Sequence, residues 1–186
     1  MRKNFGVKTY VYPQPVFIIA SYDENGVPNA MNAAWGGIGG EDRITMCIDR
    51  SHKTTDNVLA TGAFTVSMAD ADHVAACDYV GIVSGKKAPD KFARAGFTAS
   101  KSAFVNAPII NELPLCIECR LVSYDDETET MIGQIINVSA DERILGEDGR
   151  IDPKKLRPII FDTVHNKYHE LGDIVGNAFH DGLALR

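Results

Sequence analysis

The chain has 186 residues, 45% hydrophobic and 24% charged, with a formal net charge of −6 at pH 7. This balance is ordinary for a globular protein and predicts a single domain over residues 1–186, long enough to bury about two-thirds of its unfolded surface. The acidic charge argues against a general nucleic-acid binder, which carries a basic patch, and against anionic membranes. The positive start, Met1-Arg2-Lys3-Asn4-Phe5-Gly6-Val7-Lys8, is followed by no long apolar core. The run Val16-Phe17-Ile18-Ile19-Ala20 is too short for a signal peptide or membrane span, so a cytoplasmic protein is expected.

In chain order, Val16-Phe17-Ile18-Ile19-Ala20-Ser21-Tyr22 is an apolar, β-branched run that predicts a strand. It meets Asp23-Glu24-Asn25-Gly26, whose Asn-Gly pair is a strong hairpin signal, so residues 29–35 form the returning arm. Gly36-Gly37-Ile38-Gly39-Gly40 reads as a flexible connector and not as a P-loop, because no Gly-Lys-Ser/Thr closes it. Residues 43–49 alternate as a third strand. Residues 54–60 predict a short helix with Ser51 or Thr54 as its N-cap and Gly62 as its stop. Residues 64–69 alternate as a fourth strand.

Beyond these, residues 70–80 predict a helix capped by an aspartate, and residues 89–95 a shorter one. Residues 115–124 and 130–140 read as strands around the acidic turn Asp125-Asp126-Glu127. Glu147-Asp148-Gly149-Arg150 reads as a surface loop, and Pro158-Ile159-Ile160-Phe161 is a last apolar stretch. Six or more strands with short helices between them predict a mainly β protein. An antiparallel barrel is the closed form that leaves no exposed edges.

Cys116 and Cys119 form a C-x-x-C, which invites a thiol–disulfide couple or half a zinc site. Their segment reads as a strand, however, and strand positions three apart point to opposite faces, where they cannot chelate one metal or bridge. With no second C-x-x-C, a structural role as small buried hydrophobes is expected. His165 and His169 are four apart, but no glutamate stands beside the first as in a metalloprotease helix. No metal site is expected.

Two short pieces carry chemistry. Pro28-Asn29-Ala30-Met31-Asn32-Ala33-Ala34-Trp35 lines up small residues with two asparagines and the single tryptophan. A flat polar ring can lie against such a strand, because Ala does not block its approach and Asn can hydrogen-bond its edge. Trp35 suits either a contact to that ring or an anchor in the barrel core or an interface. The second piece, Asp49-Arg50-Ser51-His52-Lys53-Thr54, joins cations to hydroxyls ahead of a helix start, which suits a phosphate. Arg50 offers a planar fork of donors, and the plain alternative is that Arg50 and Lys53 are solvated loop cations and Ser51 only a cap. Together the two pieces read as a site for flavin mononucleotide, FMN.

These pieces, with Val80-Gly81-Ile82-Val83-Ser84-Gly85-Lys86-Lys87-Ala88-Pro89-Asp90-Lys91-Phe92, resemble the flavin reductase-like, FMN-binding split-barrel proteins. Within that family the resemblance is to the flavoredoxin branch, and it covers roughly residues 15–172. It implies a Greek-key antiparallel split β-barrel with short peripheral helices, a homodimer, and one FMN per subunit near the subunit interface. It also implies that Asn29, Met31, Asn32, Ala33, Ala34 and Trp35 border the ring, while Arg50, Ser51, Lys53 and Thr54 contact the phosphate and ribityl chain. Ser84, Gly85 and Lys91 map onto a loop that approaches the cofactor, where Lys91 balances negative charge; a solvated lysine is the alternative. Tyr168 matches a stretch that approaches the flavin in relatives.

Little acid–base machinery is visible, and no catalytic side chain is expected, because a flavin carries its own redox chemistry. The resemblance implies electron transfer from NADH or NADPH through bound FMN to an acceptor such as a protein. With no G-x-G-x-x-G fold, the nicotinamide would bind transiently at the flavin. The alternatives are a reductase that releases reduced flavin to a partner monooxygenase, a non-catalytic FMN-binding or redox-sensing protein, and a related split barrel holding haem or a pyridoxal-type substrate.

Overall fold

In the computed structural model, which describes residues 1–186, the first paired segment is β1 (Gln14–Pro15), and the apolar run after it forms β2 (Phe17–Tyr22). The Asn25-Gly26 turn returns the chain into β3 (Pro28–Ala33), with Tyr22 opposite Pro28 and Gly26 at a φ of 78°. Then come β4 (Gly36–Gly40), β5 (Arg43–Cys47), helix α1 (Lys53–Thr61) and β6 (Ala63–Met68). Helix α1 stops at Gly62 in the left-handed region, as expected, but its N-cap is His52 and not Ser51 or Thr54. Helix α2 (Val74–Ile82) starts later than its sequence suggests. The Asp70 carboxylate accepts the N–H groups of Asp72 and His73 and so shapes a turn before the helix.

The short helix α3 (Lys91–Arg94) precedes a small hairpin of β7 (Ala99–Lys101) and β8 (Pro108–Ile110). The long hairpin of β9 (Leu115–Asp125) and β10 (Thr130–Ala140) follows, then α4 (Pro153–Leu156) and the strands β11 (Ile159–Asp162) and β12 (Lys167–Glu170). Strand β12 holds His169 and Tyr168, so the two histidines share no helix. Both approach the Asp162 carboxylate, His165 at 2.7 Å and His169 at 3.5 Å.

Seven strands form one antiparallel sheet in the order β3-β2-β6-β9-β10-β5-β4. Its two outer strands, β3 and β4, are separated in sequence only by Ala34 and Trp35. Three Cα steps reach at most about 11 Å, whereas seven flat strands spread about 29 Å. The sheet must therefore curl until its edges nearly meet, leaving a barrel split along one seam. Packing across the seam agrees, since a Cβ on Gly36 of β4 would lie 3.1 Å from a ring carbon of Phe17 on β2.

Residues 36–40 are thus a paired strand and not the flexible connector their composition suggests. Their glycines answer to close approach. A Cβ on Gly36 would sit 2.8 Å from the Thr45 carbonyl oxygen, and one on Gly39 would collide with the Thr45 hydroxyl.

Strand β2 is buried on both faces, which explains its unbroken apolar run. Phe17 and Ile19 enter the barrel core with Met31, Met46, Phe64 and Met131. Ile18 and Ala20 face an outer core roofed by Cys77 and Val80 of α2 and by Phe92 and Phe97. Cys119 packs in the barrel core with Phe64, whereas Cys116 lies in register with Ser67 and Ser139; both are buried and unbridged. Burial pushes both thiols up to about 12, which keeps them protonated and inert. No helix is long and apolar enough to cross a membrane.

Candidate functional site

As an outer strand, β3 has one edge without a strand partner. Against that side of the barrel lie the start of α1, the end of α2 and the loop of residues 83–90. Between them opens a cleft of 250 Å³, and it gathers seven of the residues singled out from sequence: Met31, Asn32, Lys53, Thr54, Ser84, Gly85 and Lys91. His52 and Gly81 also line it.

Each wall is fixed by identifiable contacts. In the interior the Asn29 side-chain amide donates to Thr54 Oγ1 at 2.7 Å, tying β3 to α1 behind the cleft. Asn32, on the opposite face of the strand, donates to the carbonyl of Cys77 at 3.1 Å and so ties β3 to α2. Two glycines permit the closeness. A Cβ on Gly81 would be 2.9 Å from Asn32 Cβ, and one on Gly85 would strike the Asn29 side-chain oxygen. Helix α2 and the loop can press onto the strand only because these positions lack side chains.

Helix α1 begins without a capping side chain, and its first-turn N–H groups have no acceptor within the helix. With His52, Lys53 and Thr54 on the cleft wall, that end of the helix presents open donors, a partial positive charge and a cation. An anion fits there. On the other wall Lys91 is buried rather than solvated: Nζ donates to the carbonyls of Val80 and Val83 at 3.0 and 2.9 Å, closing the C-terminal end of α2. Burial lowers its pKa to about 8, and one of its three N–H donors is uncommitted.

The remaining candidates stand outside the cleft lining. Arg50 is exposed and held by carboxylates, with Nη1 2.6 Å from Asp56 and Nε 3.4 Å from Asp126. It is therefore neither a free fork nor a solvated loop cation. Ser51 is exposed, and its N–H donates to Asp49 at 2.6 Å. Ala33, Ala34 and Trp35 run along the seam, the alanines half-buried. Trp35 is 43% exposed, which corrects its reading as a barrel-core anchor. Tyr168 reaches α2 from β12 and donates to Asp78 at 2.8 Å; burial and then Asp78 push its hydroxyl up to about 12.

Two charged residues were missed from sequence. Lys86 lies 2.8 Å from the second oxygen of Asp56, so one carboxylate holds both Lys86 and Arg50. The Lys86-Lys87 pair beside Ser84-Gly85 was a visible signal for the first. Asp56, inside a short helix, offered none.

A family model described as a flavin reductase-like domain matches residues 9–165. The fold is similar to that of the flavoredoxin of Desulfovibrio vulgaris (Miyazaki F), with a TM-score of 0.93 and 36% identity, covering 98% of this chain and 100% of that one. It is also similar to a flavoredoxin from Methanosarcina acetivorans, with a TM-score of 0.88 and 26% identity over 100% of both chains. A Shewanella frigidimarina structure described as having a split barrel domain superimposes with a TM-score of 0.77 at 19% identity, over 89% of this chain and 86% of that one, a likeness of fold. Because the family match takes in every strand of the curled sheet and every element around the cleft, the chain belongs to the flavin reductase-like family.

Proposed function

We propose that this protein, acting as one domain over residues 1–186, binds FMN in the seam cleft and passes electrons from NADH or NADPH through it to an acceptor. The observation that carries this reading is the gathering of Met31, Asn32, Lys53, Thr54, Ser84, Gly85 and Lys91 around the uncapped start of α1. A bound flavin supplies hydride and electron transfer, and the protein supplies binding, orientation and tuning. In this reading the first turn of α1, with Lys53 and Thr54, holds the phosphate. Asn32 and the free edge of β3 offer hydrogen bonds to the ring, while Ala33 and Ala34 leave room beside it. Arg50 and Ser51 act from outside the cleft lining, and Asn29 acts by fixing Thr54. Lys91, with one N–H donor uncommitted, balances the negative charge of the bound cofactor, and Tyr168 borders the ring end through Asn32 and α2.

FMN is favoured over FAD because the sequence has one phosphate cradle and no second motif for an adenine. A homodimer belongs to the same proposal. Ile82, on the cleft lining, is 74% exposed, and Trp35 and Ile38 along the seam are exposed as well, a surface suited to a second copy. The likeness to flavoredoxins at 36% identity favours a held flavin passing electrons to a protein over one released to a monooxygenase. A cytoplasmic setting suits four unbridged cysteines.

Fluorescence titration of the apoprotein with FMN, FAD and riboflavin tests the site. FMN is expected to bind most tightly and riboflavin more weakly, by the loss of the phosphate contacts. Tighter FAD binding overturns the FMN reading. FMN that binds but is reduced by neither nicotinamide would leave a binding protein in place of an oxidoreductase.

A further inference from the structure

Beside the open start of α1 lies a compact arrangement of charge of which the flavin reading uses Arg50 alone and leaves Asp56 and Lys86 unexplained. Asp56 sits in the first turns of the helix, four residues after His52, and therefore on the same helix face as that N-cap. Each of its oxygens holds a different cation: Oδ1 is 2.6 Å from Arg50 Nη1 and Oδ2 is 2.8 Å from Lys86 Nζ. Arg50 comes just before the cleft residues His52, Lys53 and Thr54, and Lys86 just after the cleft residues Ser84 and Gly85. The pair with Lys86 joins α1 to the loop of residues 83–90 beside the cleft, outside its lining. Both cations pull Asp56 below the usual carboxylate range, Lys86 the more strongly, so it is charged at neutral pH.

We infer that Asp56 is a resident competitor for the flavin phosphate: it occupies Arg50 and Lys86 and yields them when the phosphate binds at the start of α1. The inference rests on the FMN reading of the cleft. A phosphate monoester carries about 1.5–2 negative charges and three acceptor oxygens, against one charge and two oxygens on Asp56. The dianion therefore wins the cations when it is present, and the carboxylate neutralises them when it is absent. All three groups are partly exposed, so the side chains can exchange partners without rearranging the core. Release of Lys86 also loosens the tie between loop and helix, which couples phosphate entry to the loop bordering the cleft. Asp56 in this way sets how much affinity the phosphate adds over riboflavin.

The test compares the parent protein with Asp56→Asn by titrating each with FMN and with riboflavin. Asp56→Asn removes the competitor and the like charge, so FMN is expected to bind about threefold to tenfold more tightly, with riboflavin unchanged within about twofold. Adding Lys86→Met should shrink the gain, because one of the released cations is then missing. Asp56→Glu keeps the carboxylate and should resemble the parent, which controls for disturbance of the helix. Equal or weaker FMN binding by Asp56→Asn overturns the inference, as does an equal gain for riboflavin. If the parent binds FMN, either result removes the role of Asp56 alone; if the parent binds no flavin, the reading of the cleft falls with it.

Discussion

Lys91 is 4% exposed at the end of α2, where its ammonium meets the carbonyls of Val80 and Val83 and no carboxylate. Two backbone acceptors at the negative end of a helix stabilise the charge, yet desolvation outweighs them and lowers the pKa to about 8. The sign of the linkage follows. Between about 8 and the ordinary lysine value of 10.5 the unfolded chain binds the proton and the folded chain sheds it, so stability rises with pH across that window. Below about 8 the folded protein carries the full penalty of a buried ammonium. Lys91→Met has no such titration. From about pH 7 to about pH 10 the parent should therefore gain about 2–3 kcal/mol of stability relative to the variant. Denaturant unfolding of both at the two pH values measures this, and parallel profiles would show that Lys91 titrates normally.

The elements of this fold differ in how much of their cause is local. The β2–β3 hairpin was legible because Asn25-Gly26 dictates its turn, α1 because Gly62 ends it, and β9–β10 because their apolar residues outlast an acidic turn. Strand β4 was not legible, since no alternation marks five residues of which four are glycine; partners across the sheet, Thr45 and Phe17, determine them. Strand β12 was hidden by a histidine spacing that mimics a helix. In the site, Asn32, Lys53, Thr54, Ser84 and Gly85 were legible as motif residues. The burial of Lys91 depends on how its chain turns back onto the end of α2, and the pairing of Arg50 with Asp126 on a segment distant in sequence. The β4 reading separates two adjacent glycines. Gly36→Ala would press on Thr45, Met46 and Phe17 and should destabilise by about 1–3 kcal/mol, while Gly37→Ala meets nothing within 4 Å and should change stability by less than about 0.5 kcal/mol. A flexible connector would tolerate both, so equal melting temperatures for the two variants would contradict the paired strand.

At the scale of the whole molecule, the two well-packed cores draw on residues between Val16 and Ile159, and the segments outside them are dressed in unburied apolar groups. Val7, Val175 and Phe179 are as exposed as in an extended peptide, and Ile174 and Leu185 nearly so. Full burial of such a side chain is worth about 1.5–3 kcal/mol, so leaving several in water is a large unclaimed free energy. Residues 171–186 have one 3-10 turn of their own and no intrachain core, which suits an arm that lies on a second copy. Removing residues 174–186 should therefore weaken the proposed homodimer while leaving the barrel folded, because no core side chain is lost. Light scattering across a concentration series reads the first effect, and far-UV circular dichroism with a melting curve reads the second. A truncated protein that dimerises as tightly as the parent would assign the interface to the seam surface of Trp35, Ile38 and Ile82 alone. A monomeric parent would remove the homodimer from the reading altogether. Flavin titration of the same truncated protein carries the argument to the site: if the partner's arm helps cover the cleft, affinity for FMN and riboflavin should fall together, since the arm acts on access to the cleft and not on the phosphate.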